Sequence, residues 1–244
     1  MDLRLKVPFS MSICASRDSG KTYFVKELLK HQNKLLNLNF SHVYWVSKFF
    51  HNDLFAELKS IPGVTIEFIL KEIPKFETYN KQTENTLICI DDFLCEASKL
   101  STVQHLFLYG RHQNFSVCFI SQNIYHQTNI FREIKNNTDY FVLFSNRRNR
   151  KQIMSLATQL YPDNPKFFYA AHQDATAENF GHLLTDCKTN TVELLCVRSK
   201  IFSNTPIVYV PKQIQSNTNQ FTTRKRKRNQ YNKSAKKRII TRAF

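Results

Sequence analysis

Ser19-Gly20-Lys21-Thr22 is the stretch of this chain whose residue types state their chemistry most plainly. A glycine lets the backbone turn close to an anion. The lysine beside it reaches terminal phosphate oxygens as a point charge. The threonine hydroxyl suits a hard cation such as Mg²⁺. Ala15-Ser16-Arg17-Asp18 complete the loop, so 15–22 is the candidate cradle for a polyphosphate. The usual pattern has glycine where Ala15 stands, and alanine enters the left-handed region less readily.

A second group lies about 70 residues on. Thr86-Leu87-Ile88-Cys89-Ile90 runs straight into Asp91-Asp92. A buried parallel strand ending in two carboxylates delivers acid at its C-terminal tip, where ligands bind in open α/β sheets. Asp91 is placed to hold the water shell of Mg²⁺ together with Thr22, and Asp92 to polarise an attacking water. A third candidate is Gln122, an amide at the end of the apolar run Phe115–Ile120. Such an amide can orient water or sense a terminal phosphate. A fourth is Arg148, which follows the apolar run Tyr140–Phe144. The competing readings are an Asp-Asp turn, a turn glutamine and a solvated charge run.

These residues need a particular scaffold. Phe9–Ala15 is apolar enough for a buried strand, and Tyr23–Leu29 carries apolar residues at helical spacing (Phe24 with Leu28, Val25 with Leu29). Further strands are expected at His42–Val46, Val64–Phe68, Asn85–Phe93, Phe115–Ile120 and Asp139–Phe144. Helices are expected at Asn52–Lys59, Val103–Tyr109, Gln152–Leu160 and from Pro165 to about Asp174. Glu77–Asn85 is polar and reads as a loop. Gly181–Asp186 and Thr191–Val197 read as a hairpin, and Pro206–Pro211 as a last extended piece.

Composition narrows the field. The 244 residues suffice for one domain, expected over 1–214, and 215–244 is polar, basic and aperiodic, which predicts a disordered tail. The formal net charge is +16. From Phe221 on there are 10 Lys/Arg and no Asp/Glu, while the remainder has 25 Lys/Arg against 19 Asp/Glu. That balance implies a polyanionic partner. Arg224–Arg228 and Lys236-Lys237-Arg238 read as a nuclear localisation signal, a nucleic-acid tether, or a solvated tail. The 6 cysteines form no CxxC pair and lie mostly in apolar runs, so buried thiols are expected instead of a disulfide frame or zinc site. No apolar run approaches the length of a membrane span, so no membrane partner is expected.

Several pieces occur in one order: Pro8-Phe9, the loop ending Ser19–Thr22, Ile90-Asp91-Asp92, Leu106-Phe107 with Gly110-Arg111-His112, and Ser116 to Gln122-Asn123. Arg132, Phe144-Ser145-Asn146-Arg147-Arg148, Ala157 and Gln159-Leu160-Tyr161-Pro162 follow. Together they resemble the genome-packaging ATPases of FtsK/HerA type found in Polinton (Maverick) elements, adintoviruses and related double-stranded DNA viruses, with the poxvirus packaging ATPase a more distant relative. The resemblance spans about Val7–Pro211. The sequence departs from that family at Ala15, at Arg17-Asp18 where Thr-Gly is common, at His112-Gln113 and at Asn149.

The resemblance implies a three-layer αβα P-loop NTPase of RecA-like type, with a mostly parallel central sheet and a C-terminal hairpin. It implies ATP and Mg²⁺ as cofactors, a homo-oligomeric ring, and double-stranded DNA driven into a preformed viral capsid. It also implies an arginine acting across the subunit interface, with Arg148 preferred over Arg111 and Arg132. The basic tail, read as a nuclear localisation signal, gives the host nucleus as the expected location, with the virion as the alternative. Two other readings stay open: another P-loop DNA motor such as a helicase, and a non-catalytic DNA-binding capsid adaptor. Hydrolysis stimulated by duplex DNA separates the motors from the adaptor, and dependence on an empty capsid separates packaging from the other motors.

Overall fold

A computed structural model describes residues 2–49, 52–74, 85–91, 97–124, 128–146, 148, 150–212 and 240–243. Asp92, the expected loop over 77–84 and most of the basic tail lie outside them.

The strands are β1 (Ser10–Cys14), β2 (His42–Ser47), β3 (Thr65–Leu70), β4 (Thr86–Asp91), β5 (Phe115–Ser121), β6 (Tyr140–Phe144), β7 (His182–Asp186), β8 (Val197–Ser199), β9 (Ile207–Val210) and β10 (Ile240–Ala243). They form one sheet in the order β10-β9-β8-β7-β6-β1-β5-β4-β2-β3. From β6 to β3 every pairing is parallel, whereas β6 with β7, β7 with β8 and β8 with β9 pair antiparallel. Central strands β1, β4, β5 and β6 are apolar and buried almost throughout. Edge strand β3 alternates at its start, with Thr65 and Glu67 exposed around buried Ile66.

Among the described residues seven α-helices cover the sheet: α1 (Lys21–Lys30), α2 (Gln32–Leu35), α3 (Asn52–Lys59), α4 (Ala97–Tyr109), α5 (Asn129–Asn136), α6 (Arg150–Leu160) and α7 (Pro165–Ala175). The period of two along the strands divides the core. Met11, Ile13, Cys118, Ile120, Val142 and Phe144 face α1–α3 through Phe24, Leu28 and Phe55. Val117 and Phe119 face α4 and α5, and Phe141 and Leu143 face α6 and α7. The result is the three-layer αβα arrangement. Each large apolar side chain fully buried in it contributes about 1.5–3 kcal/mol, so the strand tips that carry the site are firmly held.

Four stretches differ from the sequence expectation. The second hairpin strand is Val197–Ser199 and not Thr191–Val197, because Glu193–Leu195 winds into a short 3₁₀ turn. The polar-looking end of the chain contributes β10, which runs parallel to β9 with Ile240 opposite Ile207, so order returns within 215–244. Helix α4 starts at Ala97, earlier than Val103. Helix α5 was not expected at all. Thr128 caps it, its hydroxyl accepting from the Phe131 N–H at 3.3 Å, and Phe131 and Ile134 are buried.

Candidate active site

The site begins where β1 stops. Its neighbour β5 continues the pairing one residue further, the Ala15 N–H donating to the Ser121 carbonyl at 3.1 Å. The chain then turns and enters α1 at Gly20, whose φ is +92°. Ser19 closes the turn by donating its hydroxyl to the Ser16 carbonyl at 2.7 Å. The left-handed positions of this loop are Asp18 (φ +56°) and Gly20; Ala15 is not among them. Alanine therefore stands at the head of the loop without the strain its substitution for glycine implied, and it is fully buried. Aspartate tolerates the left-handed region better than most residues.

Gly20 is required for a second reason. A Cβ there would lie 2.9 Å from Cδ1 of Phe180, so the Phe180 ring rests against the bare Cα. The first N–H groups of a helix find no acceptor within the helix itself, and the dipole of α1 presents positive potential at the same point. Lys21 folds back over the loop, donating from Nζ to the carbonyls of Ser16 (2.7 Å) and Ala15 (3.3 Å). Its ammonium thus sits over the ring of backbone that an anion would occupy.

Strand β4 brings the distant carboxylate in. Its register with β2 and β5 puts Asp91 opposite Ser47 and Ile120, at the same sheet edge as the loop. Thr22 Oγ1 donates to Asp91 Oδ2 at 3.3 Å, across 69 residues of sequence. Two oxygen donors held together at a phosphate loop fit Mg²⁺, which takes one or two protein oxygens and completes its shell with phosphate and water. Among the described residues no group of three or more His, Cys, Asp or Glu could hold a metal on its own. Thr22 and Asp91 would hold the ion, which supplies charge neutralisation on the phosphate oxygens.

Gln122 and Arg148 line one cleft beside the loop. A cleft of about 1060 Å³ is lined by Ser16–Ser19, Gln122, Asn123, Phe144–Asn146, Arg148 and the segment Thr176–Gly181. It opens where strand order reverses: α1 leaves β1 to one face, while α5 and α6 leave β5 and β6 to the other. Of the three candidate arginines, Arg148 lines this cleft. Arg111 lies before the start of β5, at the opposite sheet edge, and pairs with Asp139 at 3.1 Å. Arg132 is on α5 and exposed.

The groups beneath the cleft are inert. Burial pushes the Cys14 thiol up to about 11, although Ser121 and the Lys21 charge pull the other way, so it is no nucleophile at neutral pH. Burial lowers His172; its Nε2 lies 3.1 Å from the Phe144 carbonyl, so the neutral ring donates and ties α7 to the end of β6. His182 is pushed down to about 4, again by burial, and stays neutral among Phe24, Phe144 and Phe202.

The segment Thr176–Gly181 carried no signal in the sequence except its glycine. Gly181 is there because a Cβ would lie 2.4 Å from the Ala175 carbonyl oxygen. The segment's role in the cleft comes from a contact between residues 20 and 180, which no local pattern encodes.

The family model of the Poxvirus A32 protein matches residues 2–161, well over half of the chain. No curated protein sequence matches it. Among solved structures, the genome packaging NTPase B204 of Sulfolobus turreted icosahedral virus 2, in complex with ATP-gammaS, is similar at 14% identity and a TM-score of 0.48. The match covers 79% of this chain and 97% of that one. ATPases 2 and 3 of EssC from Geobacillus thermodenitrificans are similar at 14% identity and a TM-score of 0.40, covering 56% of this chain and 32% of that one.

Proposed function

Because the chain belongs to the Poxvirus A32 protein family, we propose that it is an ATP-driven motor that moves double-stranded viral DNA into a preformed capsid. One observation carries the enzymatic part: the Thr22–Asp91 contact at 3.3 Å, which joins a phosphate loop to the carboxylate that completes a Mg-nucleotide site. Lys21 and the N-terminus of α1 bind the β- and γ-phosphates and stabilise the charge that shifts during transfer. Asp92 follows Asp91 directly and is assigned the water-polarising role; Gln122, in the cleft wall, orients that water. Subunits assemble as a ring, in which Arg148 serves the neighbouring site.

The full chain is mixed with Mg-ATP, duplex DNA and empty capsids. Nuclease-protected DNA that requires all three components, together with hydrolysis stimulated by duplex DNA, is the expected result. Hydrolysis stimulated by DNA without any capsid dependence would favour a helicase-like motor, and no hydrolysis would favour the adaptor.

The basic tail is proposed to direct the protein to the host nucleus and to tether DNA, each neutralised phosphate releasing counterions. Since β10 lies in the same segment, neutralising Arg224–Arg228 to glutamine is a cleaner test than truncation. The variant should leave DNA-free hydrolysis unchanged, lose nuclear accumulation and flatten the salt dependence of DNA binding. Unaltered nuclear entry and salt slope would refute both roles.

A further inference from the structure

We propose that Phe180 is the platform on which the base of the bound nucleotide stacks, a purine being favoured for its larger face. The assignment rests on the phosphate-loop reading of Ser16–Thr22. Three observations carry it.

The first is position. The ring touches Gly20, the residue that opens α1, and lines the same cleft as Ser16–Ser19. Whatever is joined to phosphates held at the N-terminus of α1 leaves them beside this ring. The cleft, at about 1060 Å³, has room for a nucleoside beyond the phosphates.

The second is exposure. Phe180 is 65% exposed, while Phe24 and Phe144, which pack around His182 beneath it, are 1% and 2% exposed. An aromatic face kept in water at the mouth of a cleft is a surface made for stacking, and every base has a π-face to offer.

The third is how the ring is held. Phe180 has φ +61°, a conformation that bulky residues avoid. Several contacts impose it. The Gly181 N–H donates to the Glu178 carbonyl at 3.0 Å, and Glu178 is paired with Lys200 at 2.7 Å. The Phe180 carbonyl lies 3.4 Å from Nδ1 of neutral His182, which donates to it. The turn therefore aims the ring at Gly20 and the cleft instead of letting it sink into the Phe24–Phe144–Phe202 cluster below.

The test compares two probes on the full chain with Mg²⁺: ATP, which has a base, and inorganic tripolyphosphate, which has none. Phe180→Ala should bind ATP about tenfold more weakly, or worse, and bind tripolyphosphate as the wild type does. Phe180→Trp should keep ATP affinity, and its indole fluorescence should be quenched by ATP but not by tripolyphosphate; the natural Trp45 is fully buried and provides a steady background. Wild-type ATP affinity in Phe180→Ala would overturn the platform. So would equal losses for both probes, which would mean that the ring only braces the loop. A wild-type chain that binds neither probe would overturn the phosphate site itself, and the platform with it.

Discussion

The two edges of the same sheet treat charge in opposite ways. At the edge where the parallel strands begin, charged groups close on one another. Asp139 accepts from the Ser10 N–H at 2.9 Å and from Arg111 at 3.1 Å, and Lys188 stands 3.8 Å away while donating to the carbonyls of Lys6 and Pro8. Asp186 and Arg198 pair at 2.9 Å with side chains 6% and 4% exposed. At the edge where those strands end, Lys21, Thr22 and Asp91 meet beside a cleft whose walls also carry Gln122 and Arg148. The first arrangement fixes the chain; the second leaves room for a charged ligand. A cluster of charges is therefore informative only with its geometry: the beginning of the sheet is as rich in ionic groups as its end, yet its groups answer each other.

Substitutions at the two edges should separate activity from stability. The largest effect is expected at Lys21. Lys21→Ala should lower hydrolysis at least 100-fold, about 3 kcal/mol of transition-state stabilisation, with little change in melting temperature. Turnover within about tenfold of the wild type would remove Lys21 from the chemistry. At the other edge, Arg198→Ala should cost about 3–5 kcal/mol of stability, because it strands the buried Asp186 carboxylate. The same variant, while folded, should bind ATP normally; a specific loss of ATP affinity would erase the contrast between the edges. Replacing both partners, as Arg198→Met with Asp186→Leu, should cost less than the single change.

A smaller effect is expected from pH. The folded His182 titrates at about 4 against an ordinary 6.5, so the unfolded chain takes up its proton first as pH falls. Stability contributed by the neutral ring is complete above 6.5 and is lost progressively from there down through 4, on the order of 3 kcal/mol in all. His182→Leu should flatten the melting temperature between pH 6.5 and 4.5 relative to the wild type. Parallel curves for the two proteins would show that His182 does not govern this window.

Much of this was readable from the residues. Strand β1, the loop, α1 and strands β4 and β5 follow from apolar runs that end in Ser19–Thr22, Asp91 and Gln122, since short buried strands and phosphate loops are local patterns. The convergence of Thr22 with Asp91 was legible because parallel strands must bring their C-terminal tips to one edge. Other features depend on contacts between distant segments. Ile240–Ala243 becomes a strand because β9 offers it an open edge, although Arg242 and Thr241 make the stretch look polar. That Ala15 needs no left-handed backbone was hidden, because sequence shows that a glycine is missing, not where the loop takes a positive φ. Phe180 gave no sign at all, since its partner, Gly20, lies 160 residues earlier.

The central claim is that Thr22 and Asp91 act as one cation-holding unit within a nucleotide site. A double-mutant cycle on Mg-dependent ATP affinity tests it directly, using Thr22→Val, Asp91→Asn and the pair. The account predicts that each single change removes most of the affinity gained from Mg²⁺, that the double variant is little worse than either, and that Mg-free ATP affinity is unaffected. Strictly additive losses, or an undiminished Mg²⁺ gain in Asp91→Asn, would contradict it.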